Sequence, residues 1–300
     1  MKSIESEVII KEQEPGIDGI YKQIEWAGRH CYKSHDKITA DSAKEFVDRM
    51  IKSKHGAMLE CGTVYLSVPK EETEIIGFHG WCQYSKVRSD LVMEEPCNWL
   101  ITTNMRVLVE HDRLRDLKYI CEPTERHEKR ITARFTCDMG VGRELTRHRT
   151  LSFAQESTRY CNYGKSKFGE ELTFIIPTWA NIPEGRYTNW DGDWCDVEKL
   201  TILKKDENDA TDQFLHLCDY AEKSYMSMLD RGSKPQEARQ VLPLGLKTEI
   251  VVTGFESDWE HFFELRTAKS AHPDCVKLAV ELKQKLMDNG YGFNGNLEND

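Results

Sequence analysis

Apolar residues recur at helical spacing twice near the start of the chain. Ile17, Ile20, Tyr21, Ile24 and Ala27 share one face of residues 17–30, and Ala43, Phe46, Val47, Met50 and Ile51 share one face of 41–53. Both patterns predict amphipathic helices. The period then changes to two. Residues 63–68 (Thr-Val-Tyr-Leu-Ser-Val) alternate and stop at Pro69, and 131–138 place Ile131, Ala133, Phe135 and Cys137 on one side, so both read as strands. Residues 71–130 between them carry signals of a strand near 99–103 and a helix near 105–118. No Pro/Gly linker isolates them, and they read as an insertion on the same sheet. After the second strand, Gly140-Val-Gly142 leads into a predicted helix carrying Arg143, Arg147 and His148. A Gly-x-Gly without a third glycine does not support a dinucleotide-binding fingerprint.

The polar stretch 150–165 reads as irregular, 171–176 as a short strand, and 180–200, rich in Trp, Asn, Asp and Gly, as surface loop. Thereafter the pattern is helical. Phe214, Leu215, Leu217, Cys218, Ala221, Tyr225, Met228 and Leu229 form a broad apolar face over 211–230. Pro235 suits the first turn of a short helix ending before Pro243. Ser257-Asp-Trp-Glu260 has the spacing of a capping box. Pro273 opens a last helix closed by Asn289-Gly290, and the polar residues 291–300 read as a mobile tail. The expected architecture is α+β: a mixed, antiparallel-leaning sheet packed by helices, with a helical C-terminal block, in one domain over residues 1–290.

Composition narrows the function. With 39% hydrophobic and 31% charged residues the chain is a soluble globular type, and no run approaches the roughly 20 apolar residues of a membrane helix. Met1-Lys-Ser-Ile-Glu-Ser-Glu-Val lacks the apolar centre of a signal peptide. Ten scattered cysteines with no Cys-x-x-Cys pair fit a reducing cytoplasm, and no metal is expected. A formal charge of −10 argues against a general nucleic-acid binder.

Against that acidic background, Arg143, Arg147, Arg149 and Arg159 crowd into seventeen residues beside Ser157 and Thr158. Guanidinium forks match phosphate and carboxylate oxygens two at a time. The density therefore points to a pocket for a small phosphorylated molecule. The bland alternative is a solvated helix whose arginines pair with nearby acids.

Arg147-His148-Arg149, seven residues, Ser157, then Arg159-Tyr160 resembles the signature of the flavin-dependent thymidylate synthases, the ThyX family. Three further segments resemble that family in order: His55-Gly-Ala-Met-Leu-Glu60, Glu237-Ala-Arg239-Gln-Val-Leu-Pro243, and Phe262-Phe-Glu-Leu-Arg266-Thr-Ala-Lys-Ser-Ala271. The resemblance covers roughly 20–70 and 131–285.

It implies a homotetramer with shared active sites that converts dUMP to dTMP. The carbon donor would be 5,10-methylenetetrahydrofolate, with FAD as redox cofactor and NADPH as reductant. It assigns Glu144, Arg147, Gln155, Glu156, Ser157, Thr158, Arg159, Arg239 and Arg266 to dUMP, with Arg266 activating the uracil ring. It assigns His55, Arg147, His148, Arg149, Gln155 and His261 to FAD.

The chain departs from the family pattern at Glu144 (commonly Gln), at Gln155 with Glu156 displaced by one from the usual acid, and at His261 and Phe255 in place of asparagines. The carbonyl-contact role therefore lies open between Gln155 and Glu156. Three rival readings remain: Ser157 as a nucleophile beside a histidine, Pro96-Cys97 as the nucleophile of a cysteine-dependent thymidylate synthase, and a non-catalytic nucleotide- or RNA-binding module.

Overall fold

A computed structural model describes residues 1–92, 95–190, 193–199, 201–204 and 209–293. In chain order its first elements are β1 (Lys2–Ile4), β2 (Glu7–Ile10), α1 (Gly16–Tyr32), α2 (Ser42–Lys52), α3 (Gly56–Leu59), β3 (Thr63–Pro69), α4 (Thr73–Trp81), β4 (Lys86–Val92), β5 (Glu95–Asn104) and α5 (Met105–Glu110). Then follow β6 (Arg130–Asp138), α6 (Met139–Leu145), β7 (Ser152–Gln155), β8 (Thr173–Ile175), β9 (Gly185–Trp190), β10 (Asp193–Asp196) and β11 (Thr201–Leu203). The chain closes with α7 (Ala210–Asp230), α8 (Pro235–Ala238), β12 (Lys247–Phe255), α9 (Glu256–Arg266) and α10 (Pro273–Asp288).

The fold is α+β, but the strands divide into three sheets where the periodicity suggested one. A four-stranded antiparallel sheet, β2-β6-β12-β7, forms the centre. β6 and β12 pair along nine residues each, from Lys247↔Asp138 to Phe255↔Arg130. One face packs Phe135, Ile250 and Val252 against Trp259 and Phe262 of α9 and Leu278 and Leu282 of α10. The other packs Ala154 and Val251 against Ile20 and Ile24 of α1 and Met58 and Leu59 of α3. Burying a side chain such as Phe135 or Ile250 in this way contributes about 1.5–3 kcal/mol each.

β3 lies outside the central sheet. It pairs with β5 and, through it, β4, so residues 71–130 complete the sheet of β3 and not that of β6. The third sheet, β11-β10-β9-β1-β8, corrects the expected surface loop at 180–200. Trp194 there is buried and donates from Nε1 to Asp212 at 2.8 Å. β9 and β10 pair antiparallel from Trp190↔Asp193 to Tyr187↔Asp196, a pairing that the polar composition obscured.

Two more strands depart from expectation. β7 falls inside the stretch read as irregular, and β12 was not anticipated at all. β12 is covered on both faces, so its residues Ile250-Val251-Val252 run continuously apolar and show no alternation. The proposed capping box shifts by two residues: the Asp258 carboxylate accepts the Phe255 N–H, while Ser257 donates to Glu128 at 2.5 Å. Of the tail, Tyr291 and Phe293 pack on the central core, and residues 294–300 lie outside the described residues. Among the described residues no helix is long and apolar enough to cross a membrane.

Candidate active site

α6 begins where Asp138 accepts the Val141 N–H at 2.9 Å and ends at Leu145. Gly140 and Gly142 therefore lie within the helix. Arg147, His148 and Arg149 occupy the turn after it, which corrects the expected helical placement. The chain must already be extended at Ser152 to pair with Thr253 of β12, and this limits how far the helix can continue.

Arg266, at the last position of α9, reaches back to this turn. Its Nε donates to His148 Nε2 at 2.8 Å, its Nη2 donates to the Glu144 carbonyl at 3.0 Å, and its Nη1 pairs with the Glu144 carboxylate. His148 is buried between Phe262 and this guanidinium, with ring centroids 5.0 Å apart for His148 and Phe262. Burial first, then the charges of Arg266 and His261, push its pKa down to about 4. The neutral imidazole is the form that can accept from Arg266. His261 is exposed, 6.3 Å from His148 by ring centroid and 3.4 Å from Glu264.

Arg143, Arg147, Arg149 and Arg159 are exposed, and none pairs with a carboxylate among the described residues. Some exposed arginines elsewhere are acid-paired, Arg88 with Glu128, Arg115 with Glu74 and Arg186 with Glu171, whereas Arg49 and Arg231 have no carboxylate partner among the described residues. The acid pairing that a solvated helix face would show is thus absent from the cluster among the described residues, and only Arg143 of the four lies on α6. Arg143, Glu144 and Arg147 line a cleft of about 440 Å³ together with Trp179 and Phe214. Arg149 lines a separate one.

A second group forms around the motif serine. The Ser157 N–H donates to the Cys31 carbonyl at the end of α1, at 3.0 Å. Arg239 Nη1 contacts Thr158 Oγ1 at 3.4 Å, and Arg159 lies over the Tyr160 ring at 5.2 Å. Tyr160 meets Tyr32, whose hydroxyl is 3.3 Å from His55 Nδ1. His55 thus joins the serine group, not the Arg-His-Arg turn. Among the described residues no hydrogen bond links these two groups within one chain. Among the described residues no histidine of the same chain bonds Ser157 either, the contact an activated serine nucleophile would need. Cys97 lies outside the residues whose side chains are described.

Gln155 and Glu156, adjacent in sequence, face opposite ways. The Gln155 amide donates to Thr248 Oγ1 at 3.3 Å and stays half-buried. The Glu156 carboxylate is buried and fully engaged, by Lys33 and Lys247 at 3.1 Å each and by the Tyr163 hydroxyl at 2.6 Å. Lys247 also pairs with Glu249 at 2.5 Å. Although burial opposes its ionisation, Glu249 is held down at about 2 by the Lys247 ammonium. No motif signalled Lys33 or Lys247.

Residues 126–289, more than half of the chain, match the family described as thymidylate synthase complementing protein. A flavin-dependent thymidylate synthase of Mycobacterium marinum is 30% identical over 148 residues, 48% of this chain and 52% of the relative. One of Haloarcula marismortui is 26% identical over 148 residues, 48% of this chain and 57% of the relative. The chain spans about half the length of the curated relatives it matches. A solved UMP/dUMP methylase, PolB from Streptomyces cacaoi bound with 5-Br dUMP, aligns over 96% of this chain and 93% of its own at 16% identity and a TM-score of 0.43. That likeness is too distant to carry an argument. The family match rests on the stretch that holds the Arg-His-Arg turn, the serine loop and α9, and the chain belongs to the thymidylate synthase complementing protein family.

Proposed function

We propose that the protein is a flavin-dependent thymidylate synthase that converts dUMP to dTMP. In this reading 5,10-methylenetetrahydrofolate supplies the carbon, FAD is the redox cofactor and NADPH the reductant. The observation that carries it is the grip of the motif turn on Arg266, across 118 residues to His148 and 122 to Glu144. Three of the five N–H groups of a guanidinium are committed to that grip, which leaves one on each terminal nitrogen. Two donors on one positive fork suit the N3/O2 edge of a uracil whose ring gains negative charge as it becomes nucleophilic. Arg266 is largely buried, with 13% side-chain exposure, so its field there is less screened than at a surface.

Ser157, Thr158, Arg159 and Arg239 supply hydroxyls and forks for the nucleotide phosphate. Their freedom from carboxylates supports that role. Between the two candidates for the carbonyl contact, the half-buried Gln155 is favoured. Glu156 is already saturated and serves to hold the serine loop against α1. The residues present fit a phosphorylated flavin: Arg147 and Arg149 offer unpaired forks, and His148 presents a neutral ring beside them. When bound, the flavin supplies the redox chemistry and the protein positions it. We assign the working unit to a homotetramer with shared active sites, as the family resemblance implies; Arg266 lies on the α9 face of the central sheet and Tyr32 and His55 on its α1 face.

Purified protein is expected to show the visible flavin band, bleached by NADPH, and to form dTMP from dUMP and methylenetetrahydrofolate. Colourless protein that takes up no FAD, or salt-sensitive RNA binding without turnover, would favour the nucleotide- or RNA-binding module instead.

A further inference from the structure

Arg130, at the start of β6, is a sheltered guanidinium short of partners. Its Nη1 donates to the Glu60 carbonyl at 2.9 Å and reaches Thr63 Oγ1 at 3.4 Å, and its Nη2 reaches Ser152 Oγ at 3.5 Å. Its Nε is shielded from solvent and has no hydrogen-bond partner. No carboxylate pairs with it among the described residues. A cation withdrawn from water without a counter-charge is strongly unfavourable, so a matching anion is expected beside it.

The space for one is present. Arg130 opens into a cleft of about 430 Å³ lined also by Lys86, Arg149, Ser152, Phe255 and Asp258. Lys86 Nζ and Arg130 Cζ each lie 5.5 Å from the centre of the Phe255 ring, so both cations meet at one aromatic wall. Asp258, the one carboxylate among these residues, is turned to the Phe255 N–H at 3.3 Å. Three cations against one capped carboxylate leave the cleft positive. Its volume exceeds that of an isolated oxyanion and falls in the range of small-molecule sites.

We propose that Lys86, Arg130 and Arg149 grip the diphosphate of a dinucleotide, with Lys86 contributed by a segment outside the family-matched stretch. The identity of the ligand rests on the proposed function, whose reaction needs two molecules with a diphosphate, FAD and NADPH. Phe255, which departs from the family's asparagine, thereby becomes the platform on which both cations rest. Residues 71–130 gain a role in ligand binding.

The test compares FAD and riboflavin binding to the full chain by flavin fluorescence, together with the KM for NADPH. Lys86 is half-buried and tolerates replacement better than Arg130, so it carries the experiment. Lys86→Ala should weaken FAD about tenfold while changing riboflavin, which lacks phosphate, by less than about twofold. Lys86→Arg should restore binding. If NADPH is the occupant, its KM rises instead and FAD affinity stays. Wild-type affinities for both dinucleotides in Lys86→Ala and Lys86→Glu, or an equal loss for riboflavin, would overturn the proposal. If the wild-type chain takes up no flavin, the proposed function falls first, and calorimetry with inorganic pyrophosphate then judges the cleft. Binding abolished by Lys86→Glu sustains the anion site, and no binding to the wild type refutes it.

Discussion

His148 and Arg266 constrain one another through a single proton. Arg266 Nε can donate to His148 Nε2 only while the imidazole is neutral, and burial holds the pKa of that ring at about 4. His30 is likewise held at about 4, by burial first and then by His35 and Arg134. The ordinary value is 6.5, so the unfolded chain binds these protons more readily than the folded one. The resulting stability is fully present above about pH 6.5 and is lost as pH falls towards 4. Thermal melts should show Tm falling from pH 7 to 5, with a shallower fall in His148→Gln. A parallel fall in that variant would remove His148 from the account. Arg266→Ala should cut dTMP formation by at least a hundredfold, the order expected for losing an aimed charge, while flavin remains bound. Turnover at the wild-type rate would refute the ring-activating role. These residues were legible in the sequence because the motif spacing marks them. Lys33 and Lys247 were not, since nothing local reveals that two distant lysines converge on Glu156.

At the scale of elements, legibility followed exposure. α1, α2, α7 and α10 each bury one face and leave the other wet, so their period shows in the sequence. β12 is buried on both sides and shows no period, and β7 and β10 are too short and too polar to stand out. The site depends on the elements that were hard to read: β7 leads to the serine loop, and β12 delivers α9. α1 enters this arrangement under tight steric control. A Cβ on Gly19 would lie 1.8 Å from the Glu14 backbone oxygen, and backbone cannot swing aside as a side chain can. Gly19→Ala should therefore destabilise the protein by about 1–3 kcal/mol, read as a lower urea midpoint at unchanged slope. An unchanged midpoint would show that the 10–20 segment adjusts freely.

At the scale of the whole molecule, Arg266 stands on the α9 face of the central sheet, while Tyr32 and His55 come from α1 and the approach to α3 on the other. A site needing both is expected to be completed by another copy. Arg266→Ala and Arg239→Ala chains, each inactive alone, should regain dTMP formation when co-expressed, because a mixed assembly contains some sites with neither change. Absence of complementation, with mixed oligomers present, would place each site within one chain. The length of β12 has a separate effect. From Thr248, beside Gln155, to Phe255 it advances seven residues, roughly 24 Å at strand rise. Physiological salt damps surface charges over about 8 Å. The strand therefore acts as a spacer bar between the serine loop at one end and the Lys86–Arg130 cleft at the other, and phosphates seated at its two ends would not feel each other's repulsion.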